Sequence, residues 1–98
     1  MAKPLSTGFF IFDGFPMSCL TSMIEPLRAA NEISGVSAFD LCLVAESLGK
    51  VASSARVEFD PNCALAEVKD LDFLILLSPP TAAFNDNRSP GRLRTLQR

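Results

Sequence analysis

Two apolar runs separated by a helical period constrain the fold of this chain more than any other feature. Gly8-Phe9-Phe10-Ile11-Phe12 is a short run bounded by turn residues, the pattern of a strand buried on both faces. Asp13-Gly14-Phe15-Pro16 turns the chain. From Ser18 onward Leu20, Met23, Ile24 and Leu27 recur at i, i+3, i+4 and i+7, and Ala30 carries the stripe toward Ile33. The spacing predicts a helix capped by Ser18 and stopped at Gly35, with a kink or restart near Glu25 because Pro26 removes a backbone hydrogen bond. Phe39 to Glu46 is β-rich again. Strand, helix and strand then fit within about forty residues, the length of one right-handed parallel crossover.

The rest of the chain extends the same plan. Lys50 to Phe59 reads as a small hairpin or edge extension, and Pro61 as the opening of a short helix through Glu67 or Val68. Asp72 to Leu77 is a further apolar run, expected at the sheet centre and ended by Ser78-Pro79-Pro80, since proline cannot donate to a ladder. Residues 85–91 read as a polar loop and Arg92 to Arg98 as the start of a helix. The fold class is therefore α/β, a flavodoxin-like three-layer sandwich with a mostly parallel sheet. A terminal helix implies a strand to return to, so residues 1–98 are expected to be the N-terminal part of one such domain.

Composition narrows the chemistry. The 98 residues contain no His, Tyr or Trp, which excludes a Ser-His-Asp or Cys-His arrangement and any His-ligated metal within them. Cys19, Cys42 and Cys63 form no C-x-x-C, and their odd number points to reduced thiols in a cytoplasmic protein, packed as small apolar residues. No metal and no cofactor is expected. The N-terminus has no signal-peptide pattern, and Phe73 to Leu77 is too short to span a bilayer, so no membrane partner is expected either. Net charge is −2, with Arg88, Arg92, Arg94 and Arg98 set apart from an acidic remainder. That basic stretch reads as a solvated helix face, and the chain has no helix-turn-helix pattern of its own.

The segment Glu25-Pro26-Leu27-Arg28-Ala29-Ala30-Asn31, followed by Ser34-Gly35, resembles the N-terminal domain of AraC-family transcriptional regulators of the GlxA type. In that group a ThiJ/PfpI-like (class I glutamine amidotransferase-like) α/β domain precedes a helix-turn-helix DNA-binding domain. Asp13-Gly14-Phe15 after an apolar strand, Phe39 to Glu46, Ala52-Ser53-Ser54 and Leu71-Asp72 follow in the family's order, so the resemblance covers most of residues 8–78. It implies a non-catalytic sensing and dimerisation domain with a small-molecule metabolite effector, often a nitrogen-containing one. It also implies homodimerisation, for which Met17, Met23 and Phe39 could supply apolar contact, and DNA contact only through a C-terminal helix-turn-helix domain outside this sequence.

The same resemblance bears on catalysis. Active ThiJ/PfpI proteins use a nucleophilic Cys on a strand-to-helix elbow, an early-helix Glu and a glycine pair after a central strand. Here Cys19 stands where that Glu is expected and Pro79-Pro80 where the glycines are, and proline offers no N–H to an oxyanion. No catalytic residue is assigned. The alternative is a ThiJ/PfpI-type small enzyme, hydrolase or glyoxalase-like, with its nucleophilic Cys beyond residue 98. In open α/β sheets ligands bind outside the carboxyl ends of the strands, which makes Asp13, Gly14, Phe15, Ser47 and Ser78 the candidate ligand-binding residues. Asp13 and Ser78 would supply hydrogen bonds, Gly14 close approach and Phe15 an apolar wall. Taken singly, each also fits an ordinary turn or strand end.

Overall fold

The structure, a computed structural model, describes residues 3–79 and 88–96. In chain order these form β1 (Leu5–Ile11), α1 (Met17–Ser34), β2 (Phe39–Ala45), β3 (Val51–Ala52), β4 (Glu58–Phe59), β5 (Cys63–Ala64), a 3-10 turn (Leu65–Glu67), β6 (Phe73–Leu77) and α2 (Ser89–Leu96). The main sheet runs β5-β2-β1-β6, and every pairing in it is parallel. β3 and β4 make a separate antiparallel pair. This is the α/β sandwich expected from the strand, helix, strand pattern.

β1 is central because it is apolar on both faces. Phe9 stands between Leu43 and Ile75, and Phe10 between Val44 and Leu76. Side chains alternate across a strand, so two cores result. Phe9, Ile11, Ala45 and Leu77 pack with Leu20 of α1 and with Phe15 and Val51. Phe10 and Val44 pack on the opposite face with Leu65, joined by Cys42, Cys63, Leu74 and Leu93 of α2. Register is fixed at the sheet entrance by Asp72, whose carboxylate accepts the Ser6 N–H at 2.7 Å while its own N–H donates to the Ser6 carbonyl at 2.8 Å.

α1 shows what the Glu25 to Asn31 string does locally. Leu27 packs against the core. Asn31 is half-buried and clamps the start of β2, its side-chain amide donating to the Phe39 carbonyl at 2.9 Å and its Oδ1 accepting the Phe39 N–H at 2.9 Å. Its amide completes main-chain hydrogen bonding where the strand begins. Glu25 accepts from Arg28, which also reaches Glu32 at 2.7 Å, and these charge-assisted bonds raise the guanidinium pKa. Gly35 ends the helix in the left-handed conformation at φ 73°, donating to the Asn31 carbonyl at 3.1 Å.

Several expected boundaries differ. The N-cap is Pro16, without a side-chain cap, and Ser18 lies inside the first turn, where its carbonyl accepts the hydroxyls of Thr21 and Ser22. α1 also runs unbroken through Pro26. Pro26 and Ser22, whose carbonyl loses its partner there, are both exposed, so the lost bond leaves no buried polar group behind. The helix expected from Pro61 is only the Leu65–Glu67 turn, because the Asn62 N–H donates to the Leu43 carbonyl at 2.7 Å and draws the following residues into β5. β6 pairs with β1 alone, at the edge of the described sheet rather than its centre, and Phe73 and Leu76 are about half exposed. α2 begins at Ser89, before Arg92, with Pro90 in the first turn, where a missing N–H costs nothing. Of the expected 85–91 loop, residue 88 is a turn and 89–91 belong to α2, while 85–87, Pro80 and Arg98 lie outside the described residues.

Candidate functional site

The carboxyl ends of β1, β2 and β6 lie side by side, since Ile11 pairs with Leu77 and Phe10 with Val44. The segments that leave them therefore meet at one end of the sheet. α1, which follows β1, packs on one face, and α2, which follows β6, contributes to the core on the other. Neighbouring strands whose connections depart to opposite faces open a crevice between them, and in this topology that crevice falls at the β1–β6 junction.

Asp13, Gly14 and Phe15 turn the chain out of β1. The Phe12 N–H donates to the Leu77 carbonyl at 3.2 Å and the Phe15 N–H to the Phe12 carbonyl at 3.0 Å. Gly14 adopts φ 81°, a conformation costly for any residue with a Cβ, and a Cβ placed there would stand 3.6 Å from Pro79 Cγ. Conformation rather than space demands glycine, and the close neighbour brings the Ser78-Pro79 segment to the Asp13–Gly14 turn. Asp13, Ser47 and Ser78 are exposed at this end of the sheet. Phe15 is fully buried, edge-on to Phe59 with ring centroids 5.2 Å apart, so its ring serves the core and its backbone serves the turn.

A second layer holds the turn in place. The Gly14 N–H donates to the Ala52 carbonyl and the Ser54 N–H to the Phe15 carbonyl, both at 2.8 Å. Buried Ser53 closes the β3–β4 connection, its hydroxyl oxygen accepting the N–H groups of Ala55 and Val57 at 3.2 Å. Ala52-Ser53-Ser54 is thereby a brace for Asp13–Phe15, and its serines need no ligand to explain them.

Two polar residues at this end escaped the sequence reading. Ser89, the first residue of α2, is fully buried, and its hydroxyl donates to Glu46 Oε2 at 2.8 Å. Glu46 immediately precedes Ser47 at the end of β2. An acid directly after the apolar run Leu41 to Ala45 was the available signal for Glu46. Ser89 gave none, because only the fold brings residues 43 positions apart together. The assembled end of the sheet thus offers two carboxylates, Asp13 and Glu46, and two exposed hydroxyls, Ser47 and Ser78. Chemically, such groups can offer hydrogen bonds and negative charge to a ligand.

Cys19 is exposed near the start of α1. Among the described residues no group of three or more His, Cys, Asp or Glu could hold a metal ion, and no helix is long and apolar enough to cross a membrane.

No protein-family profile matches the chain. Over 74 residues it is 28% identical to the HTH-type transcriptional regulator GbdR of Pseudomonas aeruginosa, in each of two strains, an alignment that covers 76% of this chain and 20% of that protein. Among solved structures it is similar to an AraC family transcriptional regulator from Pseudomonas putida, with a TM-score of 0.79 at 20% identity, covering 93% of this chain and 49% of that one. A candidate transcriptional regulator protein from Vibrio parahaemolyticus gives a TM-score of 0.78 at 17% identity, covering 97% and 52%. The chain thus spans about a fifth of the curated relative and about half of each solved structure.

Proposed function

We propose that this chain is the ThiJ/PfpI-like sensing part of an AraC-type transcriptional regulator of the GlxA kind, which binds a small metabolite and does not catalyse its conversion. The observation that carries this reading is the β1–β6 junction, where Gly14 at φ 81° lies against Pro79 between exposed Asp13 and Ser78. Its likeness in fold and in part of its sequence to transcriptional regulators supports the regulatory half of the reading. The site's chemistry supports the non-catalytic half. Pro79 has no N–H to give an oxyanion, and losing one such donor removes about 3–4 kcal/mol of transition-state stabilisation. A thiol at Cys19 replaces the carboxylic acid partner a reactive cysteine would need.

In this reading Asp13, Ser47 and Ser78 bind the effector, with Gly14 keeping the backbone close to it, Phe15 behind the turn and Glu46 held ready by Ser89. DNA is engaged through a separate helix-turn-helix domain, and the regulator acts as a homodimer, with exposed Met23 among the apolar groups of α1 available for contact. The test is a thermal-shift screen of the purified protein against amino acids, their N-methylated derivatives and other small amines. An effector at a hundred times its Kd stabilises the protein by about 2.7 kcal/mol. Asp13→Ala and Ser78→Ala should each abolish the shift while leaving the unliganded melting temperature nearly unchanged. A shift that survives both substitutions moves the site elsewhere, and turnover of any screened compound removes the non-catalytic reading.

A further inference from the structure

Cys42 and Cys63 lie 21 residues apart in sequence, yet their Sγ atoms stand 3.1 Å apart. Two sulfurs at that separation are closer than ordinary van der Waals contact and need to approach by only about 1 Å to reach the length of a disulfide bond. Both thiols are reduced and half-buried. The encounter is built by the sheet rather than by side-chain wandering. Cys42 and Val44 face the same side of β2, and Cys63 is the β5 residue paired with Val44. Asn62 fixes the approach, its N–H donating to the Leu43 carbonyl at 2.7 Å and its Oδ1 accepting the Leu43 N–H at 2.6 Å. Cys19, on α1, belongs to the opposite face of the sheet.

We propose that Cys42 and Cys63 form a redox-active dithiol that closes to an intramolecular disulfide when the protein meets a peroxide. One sulfur attacks a peroxide oxygen as its thiolate, the O–O bond breaks, hydroxide leaves and takes up the displaced proton, and a sulfenic acid remains. The second sulfur then attacks the first, the S–O bond breaks, and the oxygen departs as water with the second thiol's proton. Two thiols and one hydrogen peroxide thus give one disulfide and two waters, with two electrons passing from sulfur to peroxide.

The bond would fasten an edge that is otherwise lightly held. β5 has two residues, joined to β2 through Val44↔Cys63 and Ala45↔Ala64 only. The loop closed between residues 42 and 63 contains Ala52, which accepts the Gly14 N–H, and Ser54, which donates to the Phe15 carbonyl. Oxidation therefore constrains the segment that braces the Asp13–Phe15 turn. Burial, and then the hydrogen bond with Cys63, push the Cys42 thiol up to about 12. Cys42 therefore holds its proton at neutral pH.

The experiment treats the reduced, purified protein with excess hydrogen peroxide, blocks remaining thiols with iodoacetamide and maps the peptides by mass spectrometry. The expected product is a Cys42–Cys63 linked peptide lighter by two hydrogens than its reduced pair, formed in the monomeric protein and reversed by dithiothreitol. A melting temperature raised by about 5 °C or more should accompany it. Cys19→Ser should leave both results intact, and Cys63→Ser should abolish both. The proposal is overturned if Cys42 and Cys63 remain fully alkylatable after oxidation, if they pass to sulfinic acid without a linked peptide, or if the sole disulfide joins Cys19 of two molecules.

Discussion

The two faces of the sheet are closed by very different means. On the α1 side seven residues are buried together, Phe9, Ile11, Phe15, Leu20, Ala45, Val51 and Leu77, beneath an 18-residue helix and the β3–β4 pair. On the α2 side, among the described residues, the buried apolar cluster is Phe10, Val44 and Leu65, and the described cover is a three-residue turn and an eight-residue helix. The same central strand feeds both cores, so the difference lies in what packs over them. The deep face fixes the backbone from which Asp13–Phe15 emerges. The shallow face carries the contacts with room for change: the Cys42–Cys63 pair, β5, and the Ser89–Glu46 bond.

The sharpest test of this asymmetry compares neighbours on β1. Phe9 and Phe10 are both fully buried, but they point into different cores. Phe9→Ala should cost about 3–5 kcal/mol, because α1 and two strands hold the cavity open. Phe10→Ala should fall below that, since a short turn and helix can settle into the space left. Urea unfolding midpoints for the two variants measure the difference directly, and equal losses would break the comparison.

Polar anchors provide the next test. Asn31 makes two hydrogen bonds to the Phe39 backbone, and Ser89 makes one to the Glu46 carboxylate. Asn31→Ala leaves a half-buried N–H and carbonyl unpaired, and the expected loss is about 1–3 kcal/mol in global stability. Ser89→Ala removes a bond on the shallow face. Its effect should appear as faster amide hydrogen exchange in α2 with little change in the exchange of α1, whereas Asn31→Ala should speed exchange in α1 and β2 together.

A pH titration sharpens the contrast further. Burial, the hydrogen bond to Cys63 and the nearby charge of Asp40 raise the Cys42 pKa from 9.0 to about 12, so the folded state keeps a proton that the unfolded chain releases. Stability from this source is complete below pH 9 and declines as pH rises from 9 toward 12. Denaturation curves across that range should weaken for the native protein, and Cys42→Ala should flatten part of the decline. An unchanged slope in the variant would mean that the thiol does not sense the shallow core.

Much of this architecture was legible because β1 and β2 announce themselves as apolar runs and Leu20, Ile24 and Leu27 share one helical face. Gly35 marked the end of α1 through its backbone freedom. The start of α1 was misread because Ser18 has good capping chemistry, but the turn of Phe12 to Phe15 places Pro16 at that position instead. β5 was hidden for a different reason. Pro61 suggested a helix, and nothing local in Cys63-Ala64 reveals that the Asn62 amide will pair with Leu43. The placement of the candidate residues followed the same division. Asp13 and Gly14 could be read from one turn, and Ser47 and Ser78 from strand ends. Glu46 with Ser89, and Cys42 with Cys63, exist as pairs only after the sheet has formed.

The smallest expected effect lies on the solvent side of the deep face. Arg28 bonds Glu25 and Glu32 at 3.1 and 2.7 Å, and all three side chains are more than half exposed. Water and salt screen such pairs, and holding three long side chains in one arrangement costs rotamer freedom. Arg28→Ala should therefore leave the urea midpoint unchanged within error and stay silent at both low and high salt. Leu27→Ala, one residue away, removes apolar contact with the core and should be readily measured. If Arg28→Ala proves as damaging as Leu27→Ala, then the exposed side of α1 is not a bare solvated face, and a partner surface covering Glu25, Arg28 and Glu32 becomes the explanation to pursue. Sedimentation of the Arg28→Ala protein would decide it, because loss of a subunit contact lowers the sedimenting mass whereas loss of an ion pair alone does not.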